Sequence, residues 1–429
     1  MNTIRYPAKK DWPDILARPA MELSSLDKVV QEVFKRVREE GDQAIAEYTE
    51  KFDGVKASNF QVPESEIEKA ADTLNEKLRK AINTAAFNIE KFHKAQIPKD
   101  IQVETMPGVL CMQKAVPIEK VGLYVPGGTA PLFSTVLMLA IPARVAGCSE
   151  IILCSPPLKD GTLNPAILYS AKISGVDKIF AIGGIQAIGA MAYGTQTVPA
   201  VYKIFGPGNQ YVTAAKQIAA RSEVAIDMPA GPSEVAVLAD ETSDPVLIAS
   251  DLLSQSEHGP DSQVILITVS ESIISKVQEA LQYQLEKLPR KHFALQSLGH
   301  SKIILVSDYD TMIEMVNAYA PEHLIISTNN ADELAVRVRN AGSVFIGENT
   351  PESAGDYASG TNHTLPTNGH ARAYSGVNLD AYYKKITFQK ISAEGLKNIG
   401  PAIETMALAE DLTAHQRAIA FRINKLKNQ

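Results

Sequence analysis

Val121-Gly122-Leu123-Tyr124-Val125-Pro126-Gly127-Gly128-Thr129-Ala130-Pro131, followed by an apolar run over 134–146, reads as a strand, a glycine turn and a helix. Val, Leu and Tyr favour the strand, and the Pro and Gly residues end it. This is the opening of a nucleotide-binding βα unit, although the Gly-x-Gly-x-x-Gly fingerprint is absent. The same pattern repeats downstream. Strands over 151–154, 178–182, 203–205 and 224–227 alternate with helices over 164–173, 186–193 and 211–221. Two of those strands run into Gly183-Gly184 and Gly206-Pro207-Gly208-Asn209. Three strands ending in glycine turns that open helices are the layout of a parallel sheet with a ligand crevice at the strands' C-terminal ends. Helix N-termini attract phosphate there. A glycine turn can equally be a tight connection, and both readings stand on the residues alone.

A second alternating set follows, with strands over 234–238, 264–269, 302–306, 324–327 and 343–346 and helices over 244–254, 271–287, 311–319 and 331–340. Asp227-Met228-Pro229-Ala230-Gly231-Pro232-Ser233 suits the loop crossing between the sets. Upstream, Val29, Val30, Val33, Val37, Ile45 and Tyr48 form the apolar stripe of a helical stretch that Gly41-Asp42 divides and Gly54 closes. A second helical stretch runs over 64–96 after Pro63, and His93 there reads as an exposed helix residue. Near the C-terminus a short strand over 384–390 precedes helices over 401–427. The expected fold class is α/β, with two similar Rossmann-like lobes, doubly wound on mainly parallel sheets. An α-helical N-terminal segment and a small C-terminal helical appendage complete it. The expected division is an N-terminal arm (1–25), a first lobe (26–120 plus 234–378), a second lobe (121–233) and the appendage (379–429).

The 429 residues carry 45% hydrophobic and 21% charged side chains, which fits a soluble chain of more than one domain. A net charge of −7, from 42 basic and 49 acidic residues without a basic block, argues against a nucleic-acid or membrane partner. The start Met1-Asn2-Thr3-Ile4-Arg5-Tyr6 lacks an apolar run, and the cytoplasm is the expected compartment. Three cysteines, Cys111, Cys148 and Cys154, do not form a disulfide framework. Cys154, in an apolar run, reads as a buried structural thiol, with a catalytic thiol as the alternative.

Four polar stretches interrupt the hydrophobic pattern. Pro351-Glu352-Ser353-Ala354-Gly355-Asp356-Tyr357-Ala358-Ser359-Gly360-Thr361-Asn362-His363 has scarcely a bulky aliphatic and reads as a functional loop. In Ser254-Gln255-Ser256-Glu257-His258-Gly259-Pro260, Gln255 and His258 share one face of a helix end, suited either to a metal or to solvent. In Ala320-Pro321-Glu322-His323, each of Glu322 and His323 is a candidate general base, or one of two exposed residues after a helix. Glu410 and His415 in the appendage would alone pass for surface residues. His370 reads as a residue of an exposed turn.

Together these segments resemble the histidinol dehydrogenase family over nearly the whole chain. The Val121–Gly128, Lys203–Asn209, 227–234, 252–263, 321–325 and 351–363 stretches carry the likeness. The resemblance implies oxidation of L-histidinol to L-histidine in two NAD⁺-dependent steps, with one Zn²⁺ per subunit, in a homodimer. It implies Gln255, His258, Asp356 and His415 as zinc ligands, with His415 supplied by the partner subunit. Glu322 and His323 are implied as the catalytic acid–base pair, and Ser233, His363 and Glu410 as substrate contacts beside His323 and the metal residues. Tyr124, Gln186 and Asn209 stand where the family meets NAD⁺. The second lobe would then be the NAD side and the first the substrate and metal side. Two readings stand beside this one: another NAD-dependent alcohol or aldehyde dehydrogenase, and a two-lobed binding protein without catalysis. Imidazole and carboxylate donors also suit Mn²⁺ or Co²⁺. The stretch over 157–164 reads as a loop insertion away from every motif.

Overall fold

The N-terminal residues, read as an arm, instead open a sheet. The computed structural model describes residues 1–19, 26–56, 59–127, 131–221, 224–229 and 231–428. Gly128, Thr129 and Ala130 of the first glycine turn, Ala230 of the crossing loop and 20–25 of the expected arm lie outside them. Strand β1 (Asn2–Arg5) pairs in parallel with β11 (Lys302–Leu305), and helix α1 (Trp12–Ile15) follows. Trp12 and Leu16 are buried in the same core as Ile304, Met312 and Leu324, and this burial holds the arm in place.

Helices α2 (Asp27–Glu40), α3 (Asp42–Asp53), α4 (Glu64–Thr73) and α5 (Glu76–Lys94) come next. Gly41 and Gly54 divide and close them at positive φ, and Asn75 caps α5 by accepting from the Leu78 amide. Their allocation to the first lobe needs correcting. Val30, Val33, Phe34, Val37, Ile45 and Tyr48 share a core with Ile152, Phe180, Ile188, Met191 and Val212 of the 121–233 lobe. An apolar stripe goes where a complementary apolar face exists, and α8 (Gly184–Tyr193) supplies it. His93 corrects another expectation: it is fully buried, and its Nδ1 lies 2.8 Å from the Ile89 carbonyl.

Strands β4 (Lys120–Tyr124), β5 (Glu150–Ser155), β6 (Lys178–Ala181), β7 (Lys203–Phe205) and β8 (Ala225–Ile226) form a parallel sheet in the order β6-β5-β4-β7-β8. Helices α6 (Phe133–Ala146), α7 (Pro165–Ser174), α8 and α9 (Gln210–Ala219) connect them. The order reverses between β4 and β7, so Tyr124 and the Gly206–Asn209 turn flank the topological switch point. Strands β9 (Glu234–Ala239), β10 (Gln263–Thr268), β11, β12 (His323–Ser327) and β13 (Ser343–Ile346) repeat that order, with β1 on the edge: β1-β11-β10-β9-β12-β13. Around them lie α10 (Pro245–Ser256), α11 (Glu271–Leu285), α12 (Lys291–Gly299), α13 (Tyr309–Tyr319), α14 (Ala331–Ala335) and α15 (Glu352–Tyr357). Two similar doubly wound lobes were expected, and two are present.

The chain divides into two compact units, Met1–Gln96 with Glu119–Ala381, and Ile97–Ile118 with Tyr382–Gln429. The second corrects the expected borders, because 97–118 joins the C-terminal residues. Its three-stranded antiparallel sheet runs β14 (Tyr383–Ile391), β3 (Val109–Pro117), β2 (Ile101–Met106). The β3–β14 ladder pairs every residue from Val109 to Pro117, which ties the two distant stretches together. Helices α16 (Ala393–Ala409) and α17 (Thr413–Lys427) complete it. No helix among the described residues is long and apolar enough to cross a membrane.

A buried ion pair holds the third glycine turn of the five-stranded lobe. Lys216 Nζ lies 2.5 Å from Asp227 Oδ1 and donates to the Gly206 carbonyl at 2.6 Å, while the Gly206 amide donates to Asp227 Oδ2 at 2.8 Å. Gly206 sits at φ +124°, and a Cβ there would lie 2.0 Å from the Tyr124 carbonyl oxygen, so only glycine fits. Lys216→Met strands the Asp227 carboxylate in the interior. It is expected to lower unfolding stability by about 3–5 kcal/mol, measured by chemical denaturation.

Candidate functional site

Two strand starts carry the centre of the site. In the parallel pairing of β9 with β12, His323 stands opposite Val235, one residue past Glu234. The Glu234 amide donates to Glu322 Oε2 at 2.9 Å, and the Glu234 carbonyl lies 3.0 Å from His323 Nδ1. One peptide segment thus grips both residues of the expected acid–base pair. Both are buried, at 6% and 3% exposure, which excludes the reading of two exposed residues after a helix. The site lies at the N-terminal ends of these strands. At their C-terminal ends Asp240 fills the crevice, accepting hydrogen bonds from Thr242, Tyr309 and the Asn329 amide.

The polar stretch over 351–363, expected as a loop, begins with the short helix α15. Asp356 on it reaches three other expected residues. Asp356 Oδ1 lies 3.2 Å from His323 Nε2, and Gln255 Nε2 donates to Asp356 Oδ2 at 3.5 Å. The Asp356 carbonyl lies 2.8 Å from His363 Nδ1, and Thr135 Oγ1 lies 3.0 Å from His363 Nε2. His258, one turn beyond Gln255, has its Nδ1 3.4 Å from Ser233 Oγ. Ser233, Gln255, His258, Glu322, His323, Asp356 and His363, scattered over 130 positions, therefore meet in one place.

Charge states follow from these neighbours. Burial works against a charged His323, but Glu322 and Asp356 outweigh it and hold the imidazole well above its ordinary pKa. Burial pushes the Glu322 carboxyl up, and the neighbouring imidazole only partly offsets it. Asp356 is held below the usual carboxylate range: burial would raise it, and the hydrogen bond and charge of His323 prevail. Desolvation lowers both His258 and His363, favouring neutral rings able to donate a lone pair. Gln255 Oε1 is buried without a hydrogen-bond partner. Among the described residues, no three His, Cys, Asp or Glu side chains are grouped closely enough to hold a metal.

Tyr124, Gln186 and Asn209 line a cavity of about 980 Å³ that His258 and Tyr357 also border. Gln186 is fully buried, and neither atom of its amide has a partner. Asn209 Oδ1 caps α9, accepting from the Tyr211 and Val212 amides, so its NH₂ is left for a ligand. The Gly184 amide donates to the Tyr124 hydroxyl at 3.1 Å. Glu410 and His415 belong to the other compact unit, the first just after α16 and the second in the first turn of α17. Cys154 is fully buried, and burial raises its thiol.

Glu352 was not singled out in the sequence. It is 1% exposed, its Oε1 accepts from Ser254 Oγ at 2.6 Å, and burial pushes it up to about 8. Only its place in a stretch without bulky aliphatics could have pointed to it.

Paired Rossmann-type lobes, a cavity at one switch point and a buried acid–imidazole pair suit an oxidoreductase of the dehydrogenase class. The histidinol dehydrogenase family model matches residues 16–423. The chain is 60% identical over 427 residues to "Histidinol dehydrogenase" of Bacteroides thetaiotaomicron, covering 100% of both chains. It is 52% identical to that of Vibrio parahaemolyticus, covering 96% of this chain and 95% of the other. The crystal structure of histidinol dehydrogenase from Elizabethkingia anophelis superposes with a TM-score of 0.97 at 52% identity, covering 100% and 99%. The chain belongs to the histidinol dehydrogenase family, oxidoreductases of histidine biosynthesis.

Because folding raises the Glu352 pKa, the fold favours its neutral form. That contribution is complete below the ordinary 4.5 and is lost as pH rises through about 8. Glu352→Gln should therefore flatten the fall in stability across this window. Denaturant midpoints of the chelator-treated proteins at several pH values measure it.

Proposed function

We propose that this chain is a zinc-dependent, NAD-linked four-electron dehydrogenase that oxidises L-histidinol through L-histidinaldehyde to L-histidine, the last step of histidine biosynthesis. It works in the cytoplasm as a homodimer whose active site the partner subunit completes. The observation that carries this reading is the convergence of Gln255, His258, Glu322, His323 and Asp356 beside a cavity bearing Tyr124, Gln186 and Asn209.

The donor set fits a zinc ion. An orphaned amide oxygen on Gln255, a carboxylate on Asp356 and a neutral imidazole on His258 supply three donors of suitable chemistry. His415, from the other compact unit, is the proposed fourth, contributed by the partner subunit. When bound, the metal would orient the substrate's imidazole and amine as a Lewis acid, and NAD⁺ would accept hydride in each oxidation.

His323 takes the hydroxyl proton as hydride leaves, its Nδ1 side anchored on the Glu234 carbonyl. With Asp356 committed to a cation, His323 loses one of the two carboxylates that favour its protonated form, which returns it toward a working base. Glu322 then takes a proton from the water that attacks the aldehyde while His323 returns its own proton to the aldehyde oxygen, and the neutral His323 deprotonates the hydrate for the second transfer. General-base help of this kind is worth roughly 10²–10⁴-fold in rate. Ser233, His363 and Glu410 are assigned to substrate contacts. Tyr124, Gln186 and Asn209 are assigned to the dinucleotide, at the switch point where helix N-termini favour phosphate.

Purified protein with NAD⁺ and L-histidinol is expected to form two NADH per substrate. The activity should disappear after chelation and return with Zn²⁺, followed by NADH absorbance. Turnover unchanged by metal removal would defeat the zinc assignment. Subunit sharing predicts complementation between two inactive variants, His258→Ala and His415→Ala. Dissociated, mixed and reassembled, they should regain about a quarter of parent activity, since half the dimers are mixed and each has one intact site. Absence of recovery in a verified heterodimer would place His415 in its own subunit's site.

A further inference from the structure

The Glu234 segment that holds Glu322 and His323 is itself held by Arg18, a residue of the N-terminal stretch that no motif marks. Arg18 Nε and Nη2 bind the Glu234 carboxylate in a fork, at 2.5 and 2.8 Å. The same Nη2 reaches the Tyr319 carbonyl at 2.9 Å and the Ala320 carbonyl at 3.3 Å, and the guanidinium carbon lies 4.0 Å from the centroid of the Tyr319 ring. Ala320 is a non-glycine residue at φ +55°, in the turn that ends α13 and delivers Pro321, Glu322 and His323. Such a conformation is costly and persists only where its surroundings enforce it. The pair is largely dry: the Arg18 side chain is 14% exposed and that of Glu234 3%. The Tyr319 hydroxyl donates to Gln263 Oε1 at 2.9 Å, and Gln263 Nε2 donates to the Ala17 carbonyl at 3.0 Å, closing a ring around the guanidinium.

We infer that Arg18 is a positioning residue for the reaction, fixing the Glu322–His323 pair by joining the start of β9 to the strained turn before β12. It touches neither member of the pair. It sets the register of the two backbone segments from which they project, and planar two-pronged recognition suits guanidinium where an ammonium would fail. The inference rests on the reading of Glu322 and His323 as the acid–base pair.

The test uses the full-length, metal-loaded protein with NAD⁺ and L-histidinol. In Arg18→Ala, kcat is expected to fall about 10–100-fold, the scale on which small displacements of reacting groups act. KM for NAD⁺ should change less than about twofold, because Tyr124, Gln186 and Asn209 stand in the five-stranded lobe, on other elements. A cavity of about 740 Å³ opens beside Arg18, so added methylguanidine should restore part of kcat. In the Glu322→Gln background, Arg18→Ala should cost little further, since its effect passes through that pair. Arg18→Lys keeps the charge and serves if the alanine variant does not fold, and its kcat should fall as well. A folded Arg18 variant with kcat within about twofold of the parent, or a loss fully additive with Glu322→Gln, would overturn the inference. Retained activity in both Glu322→Gln and His323→Asn would instead bring down the acid–base reading, and the role of Arg18 with it.

Discussion

The parallel register between β9 and β12 is the constraint on which the site depends. A peptide can offer its amide to one neighbour and its carbonyl to another, and Glu234 uses both, one on Glu322 and one on His323. Adjacent side chains at a strand start point to opposite faces. The shared backbone contact is what brings the Glu322 carboxylate to 3.6 Å from His323 Nδ1. Slipping the register by one residue would turn His323 to the other face and break the constellation.

The two lobes use one winding in opposite ways. In the five-stranded lobe a cavity lies at the switch point, with Gly206 pressed against the Tyr124 carbonyl and a buried Lys216–Asp227 pair behind it. In the six-stranded lobe Asp240 closes the corresponding crevice, and the buried Glu322–His323 pair lies at the other end of the sheet. The preference for ligands at strand C-termini arises from helix N-termini gathered there. An acid–base site depends instead on buried side chains and backbone dipoles, which a strand start can supply equally well.

Much of the site was legible because its residue types are uneconomical elsewhere. Asp356 and His363 stand in a run with no aliphatic periodicity, and His258 directly precedes the helix-ending Gly259-Pro260, so each was marked by a missing core pattern. Thr135 and Arg18 gave no such mark, and Glu352 shared the 351–363 run without standing out in it. Glu352 looks like an exposed first-turn acid of α15, and Thr135 like one more residue of a buried helix. Their partners, Ser254, His363 and Glu234, lie 98, 228 and 216 residues away.

By itself the sequence determined the α/β class, the doubled alternation of strands and helices, the glycine turns and the family, because these are written in local periodicity and long contiguous motifs. Tertiary structure decided the rest. It placed helices 27–94 on the five-stranded lobe, made the N-terminus an edge strand, joined 97–118 to the C-terminal residues and buried His93. Each of these is a choice of partner among apolar faces or open strand edges that look alike in one dimension. Burial and complementary shape make that choice only once the chain has folded.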